Sequence, residues 1–437
     1  MSETKMIHFA WFGAPGAQYW NAPAGSLYDW RRGDLYKDIA KLAERSFMDL
    51  VLLADIPAVP SAYGGSNDVY VRNGLDIHLD PSPILAMMGA VTSHIGLGAT
   101  LSTSLYPPFL LARLMGTLDQ LTSGRSAWNV VTSVHSAAAH NFGHEDLPPH
   151  DERYDIADEY IDLVRQLWES WDEDAIIQDR ARNVFADPSK VKPINFAGKY
   201  FKSRGPLNIP SLPQRHPVIV QAGTSDRGQR FSATNADMVI AHKNTMDDMK
   251  SYVSKFRQAL SDAGRDPHSC KIFFSIKPVM GDTEGMAKEL WQRNYENANI
   301  EAGLSYLSGT LNIDLSTFDL DLPLPADLPV SGMIGKLRQH TEANKDKTLR
   351  EIAKHEGMSE TYPICGTPEH CADVIEHTAK EVGADGFHFR PAGAAGAFGD
   401  IHYLVEIATK LMPILQRRGV ARTSYSGRTL RENLLAF

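Results

Sequence analysis

Gly223-Thr224-Ser225 has the composition of an anion site: a glycine that permits close backbone approach, two hydroxyls, and then the amphipathic pattern of a helix over 225–235. Free N–H groups at such a helix start, at the positive end of its dipole, hold phosphate. The same residues also suit an ordinary N-cap, in which Thr224 or Ser225 only accepts from the first turn. A second group, His150-Asp151-Glu152-Arg153-Tyr154, opens a predicted helix over 151–171. The i, i+4 spacing lets His150 and Tyr154 face one ligand, although by itself the pair reads as a helix-start donor and a core-edge aromatic. Asp55, Thr100 and Asn129 stand toward the ends of three apolar runs, 48–55, 95–102 and 126–133. A carboxylate, a hydroxyl and an amide on rigid strands suit a ligand edge that needs both donors and acceptors, and each equally suits a helix cap or a loop tie.

His8 lies in the apolar run MIHFAWF (6–12), with Trp11, Tyr19 and Trp20 near it in sequence. An imidazole titrates near ~6.5, which fits it for acid–base work, but a histidine in an apolar strand is more often a satisfied core residue. His135, His140, His144, Asp146 and His150 crowd into a polar loop without the spacing of HExxH or any comparable zinc motif, so no metal is expected.

These residues need a frame that turns them toward one place. Apolar runs at 6–12, 48–55, 95–102, 126–133, 216–223, 237–243, 270–281 and 383–391 read as buried strands, and helical periodicity recurs between them. Strand and helix alternating eight times predict a (β/α)8 TIM barrel, one domain over 1–437, whose ligands bind at the carboxyl ends of the strands. Two stretches break the alternation, 172–216 and 304–362, the first with the look of a small antiparallel insertion. The competing doubly wound open sheet lacks its fingerprint: GAPGAQ after the first run has two glycines and no helix behind it.

Composition narrows the partners. The 437 residues carry 44 basic and 53 acidic side chains, a net charge of −9, with no basic run to neutralise phosphates, so no nucleic acid is expected. No segment approaches the ~20 apolar residues of a bilayer span, and the start has no signal-peptide pattern, so no membrane is expected either. Three cysteines, without CxxC, fit ordinary thiols in a reducing, cytoplasmic setting.

The strings LDQLTSGRSAWNVVTS, NFG, HDERYDIADEY, LWESW, VQAGTSDRG and ADGF, in this order from about Ile7 to Leu434, resemble the flavin-dependent monooxygenases of the bacterial-luciferase superfamily. They are most similar to its nitrilotriacetate, dibenzothiophene-sulfone and long-chain alkane monooxygenase branch. The resemblance implies a luciferase-like barrel that binds FMN through Asp55, Thr100, Asn129, His150, Tyr154, Thr224 and Ser225, with His8 a candidate acid/base. It further implies a two-component system. A separate NAD(P)H:flavin reductase supplies reduced FMN, which meets O2 to give a C4a-(hydro)peroxyflavin and puts one oxygen atom into a small organic substrate. The two insertions are expected as lids and the chain as a homodimer or homotetramer; Lys192, Lys199, Lys202 and Arg204 of the first insertion could meet a substrate carboxylate, although solvated surface is the commoner fate of such residues. A deazaflavin-dependent hydride-transferring oxidoreductase of the same superfamily and a non-catalytic flavin-binding protein are the alternatives.

Overall fold

Eight parallel strands close into a barrel in the computed structural model, which describes residues 6–17, 20, 29–223, 225–325, 327–329, 332, 336–337, 340–341, 345–358, 361–390 and 401–437. They are β1 (His8–Gly13), β2 (Leu50–Leu53), β3 (Gly96–Ser102), β4 (Ser126–Val131), β5 (Val218–Gln221), β6 (Met238–Ala241), β7 (Lys271–Ile276) and β8 (Gly386–Phe389). Each pairs with its neighbours in sequence, and β1 closes on β8 through His8↔Gly386 and Ala10↔His388. Covered on both faces, the strands are continuous apolar runs, as the sequence predicts.

Alternate residues fill the lumen: Ala10, Leu50, Leu52, Ala127, Val218, Val220, Met238, Ile240 and Phe273 form one buried cluster. Leu430 and Leu434, from the C-terminal helix Leu430–Leu434, join it at the amino ends of the strands. Gly96 makes room for that plug, since a Cβ there would stand 2.5 Å from Leu430 and 2.9 Å from the Asp49 carbonyl. The outer jacket includes α1 (Gly33–Arg45), α2 (Pro81–Gly89), α3 (Pro108–Leu121), α4 (His150–Trp168), α5 (Asp226–Asn235), α6 (Met246–Asp262) and α7 (Pro368–Val382). A last helical stretch runs from Ile401–Glu406 through a π turn to Met412–Arg417. No helix among the described residues is long and apolar enough to cross a membrane.

The two insertions sit at opposite rims. The first is antiparallel as expected, pairing Ile176–Asp179 with Val184–Ala186 and Phe196–Ala197 with Lys202–Ser203. It leaves the end of α4 and returns at the start of β5, however, so it belongs to the amino-end side. Gln214 pins it there, donating to Asp119 Oδ1 (2.6 Å) and to the carbonyl of Ser126, the first residue of β4 (2.7 Å). The expected lid role for 172–216 is therefore corrected: Lys192, Lys199, Lys202 and Arg204 ride on a segment that follows a helix, not a strand.

The second insertion follows β7 and does cover the carboxyl rim. Past the helix Glu284–Glu296, Asn299 caps a separate one, Ile300–Leu311, by accepting from Ala302 N (3.0 Å). That helix anchors loops from two strands: Tyr70 donates to the Ser305 carbonyl (2.8 Å) and Asn312 to Ser136 Oγ (3.1 Å). Its own support is the helix Leu349–Gly357, approached so closely that a Cβ on Gly303 would lie 1.9 Å from the Ala353 carbonyl. Gly303→Val should cost the helix pair roughly 1–3 kcal/mol and speed amide exchange in 300–311 and 349–357 while leaving the strands protected; unchanged exchange there would contradict this packing.

Candidate active site at the carboxyl rim

Tyr154, one turn into α4, points its hydroxyl at the start of α5. Its partners are Gln221 and Ser225, and burial raises its pKa above the ordinary phenol value. His150 reaches the same spot, its Nε2 3.3 Å from Ser225 Oγ, while Asp151 Oδ1 stands 2.7 Å from its Nδ1. Ser225 is the N-cap of α5, accepting from Gly228 N at 3.1 Å. Around them the backbone is bare: a Cβ on Gly223 would lie 2.9 Å from the Tyr154 hydroxyl, and one on Gly228 only 2.7 Å from it. Three predicted residues from two helices thus surround a cradle of glycines at a positive helix end, and a phosphate monoester fits that donor set. Thr224 lies outside the described residues.

Across the rim, Thr100 and Asn129 are register partners on β3 and β4, and Asn129 Nδ2 donates to Thr100 Oγ1 at 2.9 Å. Asn129 Oδ1 is buried without a hydrogen-bond partner among the described residues. A buried amide oxygen left open calls for an outside donor, such as the ring N–H of a flavin's pyrimidine edge. Asp55 follows β2 and lines a cleft of about 440 Å³ with Asp76, His78, Asp80, Tyr106 and Phe142. Burial, helped by the nearby charge of Asp80, pushes the Asp55 carboxyl up to about 7 from 3.8, against a backbone N–H at Ile56 that pulls it down. A carboxyl raised in the folded state stabilises the fold while both states are protonated, below about pH 4, and that contribution is lost as pH rises through 7. Asp55→Asn is accordingly expected to gain up to about 4 kcal/mol over the parent at pH 8 and nothing at pH 3, read by denaturant unfolding of the flavin-free protein. An equal effect at both values would remove the burial argument.

His8 is not with the others. It begins β1 rather than ending it, so it sits at the amino ends of the strands, 1% exposed. Its Nδ1 faces Asp49 Oδ1 at 3.0 Å and its ring stacks on Phe437 at 4.1 Å. The acid/base role expected for it is corrected to a structural one. Trp11 points outward to Tyr403 (5.9 Å), Trp20 is exposed and donates to the Asn73 carbonyl, and Tyr19 lies outside the described residues.

Several site residues escaped the sequence argument. Asp76, His78 and Asp80 come from the long loop after β2, whose conformation has no periodicity to read. Burial pushes Asp76 up to about 7 and His78 down to about 4. His242, Ser275 and His388 cluster at the ends of β6, β7 and β8, with Arg390 just beyond. Their signal was present in AHK, FFSIK and GFHFR, where a polar side chain closes an apolar run.

Known proteins share this frame. The profile of the family described as luciferase-like monooxygenase matches residues 22–386. A dibenzothiophene-sulfone monooxygenase of Rhodococcus erythropolis (strain XP) is 38% identical, covering 99% of this chain and 97% of its own. Component A of a nitrilotriacetate monooxygenase from Aminobacter aminovorans is 36% identical over the same shares. Among solved structures, a riboflavin lyase crystallised with modified FMN and its substrate riboflavin superimposes with a TM-score of 0.90. It is 30% identical, with 99% of this chain and 96% of that one covered.

Proposed function

Because this chain belongs to the luciferase-like monooxygenase family and is a flavin-dependent monooxygenase, we propose that its flavin is FMN, used reduced, and that one atom of O2 passes to a small organic substrate. The observation that carries the choice of FMN is the cradle of Gly223, Ser225 and Gly228 closed by His150 and Tyr154, which fits a terminal phosphate. Ser225 and the first amides of α5 would hold the phosphate, with His150 and Tyr154 donating from the side. Thr100, Asn129 and Asp55 would orient the ring system, Asn129 Oδ1 accepting from it. When bound, reduced flavin supplies the reaction with O2. The chain's part is to fix position and exclude water, and the helix Ile300–Leu311, laid over the β2 and β4 loops, provides the cover.

Reduced flavin must come from elsewhere, and we assign that task to a separate NAD(P)H:flavin reductase in the cytoplasm. Support comes from the relative named as a component A and from the missing dinucleotide fingerprint in this chain. A homo-oligomer belongs to the same proposal.

The test supplies FMN, a flavin reductase and NADH under 18O2 with a panel of sulfur compounds, alkanes and organic acids. One 18O atom in a product, dependent on this protein, is the expected result. Peroxide as the sole product across the panel would favour a flavin-binding protein without turnover, and preference for a reduced deazaflavin over reduced FMN in a binding titration would overturn the cofactor.

A further inference from the structure

The flavin proposal leaves unused a polar group at the opposite side of the rim, on β6, β7 and β8. Ser275 Oγ lies within hydrogen-bond distance of both His242 Nδ1 and His388 Nε2, and the two rings stand 5.8 Å apart, nearly perpendicular. Ser275 and His388 are fully buried, whereas His242 is half-buried. Two residues past His388, Arg390 has no hydrogen-bonding or ionic side-chain partner among the described residues, and its Nε is buried. The neighbouring cation, Lys336, is already neutralised by Glu356 at 2.5 Å. Arg390 continues β8, its N–H donating to the Ile276 carbonyl at 3.0 Å, and so leaves the strand on the same face as His388; burial first and this charge next hold His388 down to about 3 and His242 well below the ordinary value.

A serine hydroxyl has one proton and cannot donate to both rings, so one histidine must donate to it. His388 Nδ1 is buried without a partner among the described residues, and an N–H there would be the rarer and costlier orphan. The proton of His388 therefore sits on Nε2 and goes to Ser275 Oγ, and the Ser275 hydroxyl goes to His242 Nδ1. His242 is left with its proton on Nε2, on the far edge of the ring from Ser275.

Resting on the flavin-monooxygenase proposal, we propose that His242 Nε2–H and the Arg390 guanidinium form a donor-only pocket for a carboxylate of the substrate, making an organic acid the substrate class. A neutral imidazole N–H beside a guanidinium that no described residue pairs offers hydrogen bonds and charge to an anion and no acceptor to a neutral amide or alcohol. Ser275 and His388 are positioning residues that fix the tautomer.

The experiment titrates the FMN-loaded protein calorimetrically with straight-chain carboxylates of two to twelve carbons and with the matching amides. At least one acid should bind tenfold or more tightly than its amide. Arg390→Met should abolish that preference and Arg390→Lys keep part of it, both with FMN affinity unchanged. His242→Leu should weaken the acid and His242→Gln, which keeps an N–H, restore much of it. In 15N spectra of the parent, His242 should carry its proton on Nε2. Equal binding of acid and amide along the whole series, a preference that survives Arg390→Met, or a His242 proton on Nδ1 would each overturn the pocket. The same series run without flavin separates the two proposals: a carboxylate preference in a chain that fails to bind FMN would sink the cofactor and leave the pocket standing.

Discussion

Ser225→Glu is expected to weaken FMN binding about a hundredfold or more and to leave the unfolding free energy within about 1 kcal/mol of the parent. Ser225 Oγ is 3.1 Å from Gly228 N and 3.3 Å from His150 Nε2, so an acid there stands where the phosphate must go. Two negative charges ~5 Å apart at an effective dielectric of ~20 repel by about 3 kcal/mol, which is two orders of magnitude in affinity. The fold survives because a carboxylate at a helix N-terminus is itself favourable. Quenching of FMN fluorescence on titration, beside urea unfolding of the flavin-free chain, reads both halves. Unchanged flavin affinity would move the phosphate elsewhere.

Asp49→Ala should cost about 3–5 kcal/mol, while His8→Asn should cost about 1–2 kcal/mol and leave oxygen consumption per folded molecule unaltered. Asp49 is buried at the amino rim, where Oδ1 meets Arg422 Nη2 at 2.7 Å and His8 Nδ1 at 3.0 Å, and Oδ2 accepts from Phe9 N at 2.9 Å. Removing it leaves a guanidinium that is 5% exposed with its bonds to Asn433 but without its counter-ion, and orphans the Phe9 N–H, and uncompensated buried groups cost more than the bonds are worth when made. His8 has less to lose: the Asp49 bond, a 3.4 Å contact from Nε2 to the Phe437 carbonyl, and ring contacts with Phe273 and Phe437. A folded His8→Asn variant that bound reduced FMN but consumed no oxygen would restore to His8 the chemistry that its position denies it.

The barrel was legible because a parallel strand buried on both faces must be an unbroken apolar run, and all eight such runs are strands. His150, Tyr154 and Ser225 were legible for a local reason: a helix start declares itself by its first turn. Thr100 and Asn129 followed from a rule of topology, that chemistry gathers where parallel strands end. Applied evenly, the same rule also finds His242, Ser275 and His388. It likewise excludes His8, which opens its strand, and the insertion 172–216, which follows a helix. What the sequence withheld is the loop after β2, where Asp76, His78 and Asp80 meet Asp55 through turns that no periodicity encodes, and the hydrogen-bond directions that decide which atoms stay unpaired.

The placement of the phosphate is the claim on which the rest depends, and a crystal structure of the protein with FMN tests it most directly. Phosphate oxygens are expected within about 3 Å of Ser225 Oγ, His150 Nε2 and the Tyr154 hydroxyl, with a flavin ring atom donating to Asn129 Oδ1. A phosphate bound anywhere else, or an Asn129 oxygen still without a donor in the complex, would contradict it.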